Sequence, residues 1–140
     1  MASEGRVSLI TGGSRGIGKA IALQFSSQGL SVAVNYISNK SAADEVVKII
    51  EGGGGSAVTV QGDVTKPNDV ERIFAETSES LGPVEILVNN AGIISDSLLM
   101  RMSDNDWDSV IDLDLRSIFL CTREAIRTMV RSRWGRVINI

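Results

Sequence analysis

The sequence predicts a doubly wound α/β fold, a parallel sheet of about five strands with four or five helices on its two faces. Short apolar runs alternate with stretches of helical period. The runs are apolar at nearly every position, as strands buried on both faces are. Right-handed crossovers between parallel strands then leave this topology as the main candidate, with ligands expected at the carboxyl ends of the strands.

Strands are expected at residues 7–11, 31–36, 57–61, 84–89 and 136–140. The first helix follows from Ile17, Ile21 and Phe25, the second from Ala43, Val46, Val47 and Ile50, and the third from Val70, Ile73, Phe74 and Leu81. A fourth, long pattern runs from Trp107 to Val130. Each presents one apolar stripe. Ser41 with Asp44 and Ser103 with Asp106 read as helix caps, and Pro67 suits the first turn of the third helix. The run Gly52-Gly53-Gly54-Gly55 reads as a turn and Gly135 as a helix stop. Val137, Ile138 and Ile140 would form an edge strand with an uncovered apolar face.

At 140 residues, with 43% hydrophobic and 22% charged side chains, the chain suits one soluble domain with a real core. Fourteen Lys and Arg against seventeen Asp and Glu give a net charge of -3, so the broad cationic footprint of a nucleic-acid binder is missing. No histidine is present, and Cys121 is the lone cysteine. Zinc sites, serine–histidine triads and an internal disulfide therefore have nothing to build on, no metal is expected, and Cys121 reads as a small buried residue. Residues 1–6 carry no leader core and no apolar run is long enough to span a bilayer, which points to the cytoplasm or an organelle matrix.

Thr11-Gly12-Gly13-Ser14-Arg15-Gly16-Ile17-Gly18 follows the first strand and opens the first helix. Glycines there permit a tight turn and let backbone N–H groups and a helix N-terminus approach a pyrophosphate; a ligand-free glycine turn is the alternative. A carboxylate at the end of the second strand would grip a ribose 2′-OH and favour NAD. This chain instead reads Val34-Asn35-Tyr36, with no acid before Asp44. A 2′-phosphate meets no repulsion there, and Arg15 and Lys40 are available cations, so NADP(H) is the expected cofactor. Asp63 and Val64 end the third strand, where Asp63 either holds an adenine or caps a helix. Asn89-Asn90-Ala91-Gly92 ends the fourth, and two amides with two small residues are poor packing material unless something polar binds there.

In this order, Thr11 to Gly18, Asp63-Val64 and Asn89-Asn90-Ala91-Gly92 resemble the short-chain dehydrogenase/reductase superfamily. The continuation through Ile93, Ile94, Ser95, Asp96, Ser97, Leu98, Leu99, Met100, Arg101 and Met102 is most similar to the 3-oxoacyl-[acyl-carrier-protein] reductases of fatty acid synthesis. The resemblance implies a Rossmann-like fold and NADPH-dependent reduction of a 3-oxoacyl thioester to the 3-hydroxyacyl thioester, in a homotetramer that meets acyl carrier protein. It makes residues 1–140 the cofactor-binding portion of a single-domain reductase, with the C-terminal part absent. Its cofactor-contacting positions here are Gly12, Ser14, Arg15, Gly16, Ile17, Gly18, Asn35, Tyr36, Asp63, Val64, Asn90, Ala91 and Gly92.

The resemblance also implies an Asn–Ser–Tyr–Lys catalytic set, of which only the Asn position falls in this chain, occupied by Asp114. Tyr36-Ile37-Ser38-Asn39-Lys40 matches Tyr-x-x-x-Lys by letters alone, at the adenosine end of the cofactor. Asp114 lies on the stripe Trp107, Val110, Ile111, Ile118, Thr122 and Ala125, where a carboxylate needs a cation, a donor or a proton. An ionised Asp accepts but does not donate, unlike Asn, so either a downstream Lys or a nearby backbone N–H is its expected partner. Arg123, Arg127 and Arg131 share one helix side, which suits either an acidic carrier protein or solvent. Two other readings stay open: a reductase of another ketone or a sugar, and a truncated nucleotide-binding module without catalysis.

Overall fold

The structure, a computed structural model, describes residues 5–140, so most of the stretch expected to lack a leader core lies outside the described residues. Five strands form one parallel sheet: β1 (Val7–Ile10), β2 (Ser31–Tyr36), β3 (Ala57–Gln61), β4 (Ile86–Asn89) and β5 (Arg136–Asn139). Their order is β3-β2-β1-β4-β5, which reverses between β1 and β4 and opens a crevice at the carboxyl ends there. The helices are α1 (Gly16–Ser27), α2 (Lys40–Gly52), α3 (Pro67–Ser80), α4 (Asp104–Ile111) and α5 (Ser117–Ser132).

The alternation of side chains along each strand divides the core in two. Leu9 pairs in register with Ala33 and Leu87, and these three pack with Ile73 of α3 and with Leu120 and Ala125 of α5. Ile10 pairs with Val34 and Val88, which face Ala22 of α1 and Ala43, Val46 and Ile50 of α2. Apolar residues at successive strand positions are therefore needed on both faces.

The long helix expected from Trp107 to Val130 is two helices joined by a π turn at Asp112–Arg116. The wider turn rotates everything beyond it, so the buried stripe of α5 is Ser117, Leu120, Cys121, Ala125 and Met129. Ile118 and Thr122, expected on that stripe, are only half-buried, and Trp107 is exposed. The Ser117 hydroxyl donates to the Leu113 carbonyl across the turn.

The caps are mixed. At α4 a reciprocal box forms: Asp106 N–H donates to Ser103 Oγ at 3.1 Å, and Ser103 N–H donates to Asp106 Oδ2 at 3.2 Å. At α2 the cap is Asn39, whose Oδ1 accepts from Ala42 N–H at 3.0 Å, and Ser41 lies inside the helix. Asn39 starts the helix two residues earlier than Ser41 would, and at the other end Gly52 closes α2, so the turn is shorter than the four-glycine run. The stop after α5 is Arg133, left-handed at φ 55°, rather than Gly135. Gly135 instead makes room: a Cβ there would lie 2.5 Å from Met129 Sδ. β5 is exposed along its length, with Ile140 beside it 63% exposed, as the apolar edge reading expects.

The Ser103 hydroxyl and N–H hold the Asp106 carboxyl below its ordinary value of 3.8. A folded-state pKa below the unfolded one means that the box stabilises above that ordinary value and loses its effect as pH falls through the depressed one. Acidification below that ordinary value is therefore expected to fray the start of α4, read as loss of amide protection at Asp106. The Ser103→Ala protein is expected to show that fraying already at about pH 5.

Candidate functional site

The carboxyl ends of β1, β2 and β4 frame a cleft of about 470 Å³. Of the sequence-predicted positions, Gly12, Ser14, Arg15, Gly16, Ile17, Asn35, Tyr36, Val64, Asn90, Ala91 and Gly92 line it, and Gly18 and Asp63 do not. Ile37, Ser38, Asn39, Ile93 and Leu113 complete the lining. Their only sequence signal is position, since they follow a strand end or precede the Asp114 turn.

The glycine-rich turn is held from below. Gly12 is left-handed at φ +60°, and a Cβ on it would sit 3.2 Å from Ala91 Cα. Gly16, at φ +54°, has nothing within 4 Å of that direction, so the turn is open where a ligand would approach. Gly18 faces inward: a Cβ there would overlap the Gly12 carbonyl oxygen and lie 2.6 Å from Asn90 Nδ2. Its contribution is close packing beneath the turn.

Asn90 seams the two halves of the site. Its Nδ2 donates to the Thr11 and Gly12 carbonyls, both at 3.1 Å. Buried Thr11 answers: its Oγ1 accepts from the N–H groups of Asn90 and Ala91, both at 3.0 Å. Thr11 opens the glycine motif in the sequence, but its part in the site shows only once β4 is known to be its neighbour. Asn89 donates to Asn139 Oδ1 at 2.9 Å and to Thr122 Oγ1 at 3.3 Å, tying β4 to β5 and α5. Both amides at this strand end are thus partnered by protein, and of the two Asn90 alone lines the cleft, so the expectation that something polar must bind there does not hold for Asn89.

The predicted charges separate. Arg15 is exposed at the cleft and makes no ion pair among the described residues. Lys40 does not line the cleft; it lies along α2 with its Nζ donating to Asp44 at 2.7 and 2.9 Å, and that carboxylate raises its pKa. Asp63 neither lines the cleft nor caps α3. Its Oδ1 accepts from the N–H and hydroxyl of Thr65 at 2.9 and 2.7 Å, while its own N–H donates to Asp69 Oδ2 at 2.8 Å.

Asp114, on the π turn, meets the far end of the cleft. Its Oδ1 accepts from Ile93 N–H at 2.8 Å, just beyond Gly92, so a backbone donor is its partner here. Beside it, Ile93, Trp107 and Ile111 help enclose a second hollow of about 290 Å³. Cys121 is buried, and burial pushes its thiol up to about 12, away from any nucleophilic use at neutral pH. Of the arginine row, Arg127 pairs with Glu124 at 3.3 Å and Arg123 lies 4.9 Å from the Phe119 ring centre. Among the described residues no group of three His, Cys, Asp or Glu side chains suits a metal ion, and no helix is long and apolar enough to cross a membrane.

The sequence profile of the short chain dehydrogenase family matches residues 6–140. A 3-oxoacyl-[acyl-carrier-protein] reductase from Synechocystis is 45% identical over 135 residues, covering 96% of this chain and 55% of that protein. One from Staphylococcus epidermidis is 44% identical, covering 94% and 54%. Among solved structures, a short chain dehydrogenase from Mycobacterium avium superposes with a TM-score of 0.91 at 34% identity, covering 99% of this chain and 55% of that one. One from Burkholderia cenocepacia in complex with NADP gives 0.87 at 33% identity, covering 98% and 55%. The chain spans about half the length of the curated relatives it matches.

Proposed function

The chain belongs to the short chain dehydrogenase family, and from that premise we propose that residues 1–140 are the NADP(H)-binding portion of a reductase converting 3-oxoacyl thioesters of acyl carrier protein to 3-hydroxyacyl thioesters. One observation carries the choice of cofactor: exposed Arg15 and the acid-free run Tyr36–Asn39 line the same cleft. A 2′-phosphate there finds a cation and no carboxylate. The two acyl carrier protein reductases among the relatives support the substrate class, and the NADP complex of the Burkholderia cenocepacia protein supports the cofactor.

The residues present suit the dinucleotide. Gly16 leaves open space over the turn, and the first N–H groups of α1 have no intrahelical partner, which together make an anion site. With its pyrophosphate held there, the cofactor would supply a hydride from its nicotinamide. The chain's own contribution is placement: Asn90 and Thr11 fix the turn, and Asp114 fixes the backbone at Ile93. We read Asp114 as a positioning residue at the place where the family resemblance expects Asn. The serine, tyrosine and lysine of that resemblance would come from the part of the relatives that this chain does not span. Exposed Arg123, Arg127 and Arg131 offer an acidic carrier a cationic helix side, by steering more than by tight contact. A homo-oligomer and a cytoplasmic or organelle-matrix setting belong to the same proposal.

The test pairs the intact mass of the natural protein with NADPH oxidation on an acetoacetyl thioester, a free ketone and a sugar. A mass well above 15.0 kDa with fastest turnover on the thioester is expected. Preference for the free ketone or sugar would move the protein to another reductase of the family. A mass of 15.0 kDa with NADPH binding and no turnover would leave a binding module.

A further inference from the structure

We propose that Asn35 is a positioning residue that locks the two walls of the cleft together before any ligand arrives, an inference that rests on reading the cleft as the dinucleotide site. Asn35 is only 1% exposed, so it offers a ligand almost no surface. Its amide is instead fully used. Oδ1 accepts from Gly12 N–H at 3.2 Å, and Nδ2 donates to the Val60 and Gly62 carbonyls, each at 3.2 Å. Its backbone carbonyl accepts from Gly13 N–H at 2.9 Å.

One side chain thereby joins the glycine-rich turn to the end of β3, whose continuation places Val64 in the cleft lining. Gly62 is held a second time, its N–H donating to the Tyr36 carbonyl at 2.9 Å. The amide orientation follows from its partners, since only the oxygen can meet the Gly12 donor and only the nitrogen can meet two carbonyls. Two consequences follow. The N–H groups of Gly12 and Gly13 are committed inside the protein, so a phosphate must be met by the turn beyond them, at Ser14 to Ile17. The spacing between the turn and the β3 wall, which is the adenosine half of the cleft, is set by Asn35.

Asn35→Leu tests this, because it keeps the size and brings no charge near a 2′-phosphate while removing the acceptor for Gly12 N–H and the donor to the Val60 and Gly62 carbonyls. Calorimetric titration with adenosine 2′,5′-bisphosphate and with NADPH, at a temperature where the variant is folded by circular dichroism, is expected to show both affinities falling by about tenfold. A residue with a merely structural role would lower the melting temperature and leave those affinities in place. A folded Asn35→Leu protein that binds both ligands within about twofold of the unmodified one overturns the inference.

If the variant does not fold, hydrogen exchange of the unmodified protein decides. Gly12 N–H is expected to be protected without ligand, and Ser14 to Ile17 to gain protection only when adenosine 2′,5′-bisphosphate is added. Gly12 exchanging as fast as Ser14 in the free protein overturns the inference. Failure of the unmodified protein to bind adenosine 2′,5′-bisphosphate would sink the dinucleotide reading itself, a different result from undiminished binding by the variant.

Discussion

Replacing Gly18 with alanine is expected to weaken NADPH binding by about 100-fold, equivalent to about 2.7 kcal/mol. Alanine is the better helix former, so helix propensity alone argues for the opposite outcome. Packing decides against it. The added Cβ would overlap the Gly12 carbonyl oxygen and press on Asn90 Nδ2, the two groups whose hydrogen bond closes the seam under the turn. Something must shift, and the neighbours are backbone and a doubly bonded amide rather than a flexible chain end. The strain is expected to lower stability by about 1–3 kcal/mol, in line with other overpacked interiors. Gly52→Ala is the control: a Cβ there meets nothing within 4 Å, so binding should be unchanged and stability equal or slightly raised. Titration calorimetry and urea melts of the two variants read both effects.

Thr11→Val should be the most destabilising change of a single oxygen in the site. Valine keeps the shape of threonine, so no cavity forms, yet the N–H groups of Asn90 and Ala91 lose their common acceptor. Each partly buried donor left without a partner costs about 1–3 kcal/mol, giving an expected loss of about 2–6 kcal/mol of stability, read as a lower urea midpoint with an unchanged slope. Thr11→Ser retains the hydroxyl and should lose about 1 kcal/mol, the worth of one buried methyl group. Equal stability of the valine variant and the unmodified protein would mean that the Asn90 and Ala91 amides have another partner.

Much of this architecture was legible because it rests on local pattern. β2 and β3 begin and end where their apolar runs do. The glycine spacing announces a tight turn open to an approaching ligand, as the free space over Gly16 makes it. What was not legible depends on partners remote in sequence or on backbone geometry without a residue signature. The π turn at Asp112–Arg116 adds its extra width inside an unbroken apolar stripe, so the stripe was drawn through Ile118 and Thr122. Lys40, a candidate partner for a 2′-phosphate, stands outside the cleft lining and pairs with Asp44 one helical turn on, a partner that a residue-by-residue reading of charge does not show. Asp63 has two readings, adenine holder or helix cap, and the cap does not form because Thr65, two residues away, takes its Oδ1. Asn35 is expected among the cofactor-contacting positions, but the groups its amide meets, Gly12 and Gly62, lie more than twenty residues away on either side.

The cleft's identity as a site for a 2′-phosphorylated dinucleotide is tested most directly by titrating the protein with NADPH and with NADH, before and after Arg15→Glu. NADPH should bind the unmodified protein at least about tenfold more tightly than NADH, the worth of one charge-assisted contact, and the Arg15→Glu protein should lose most of that preference. Equal or tighter binding of NADH by the unmodified protein would contradict it.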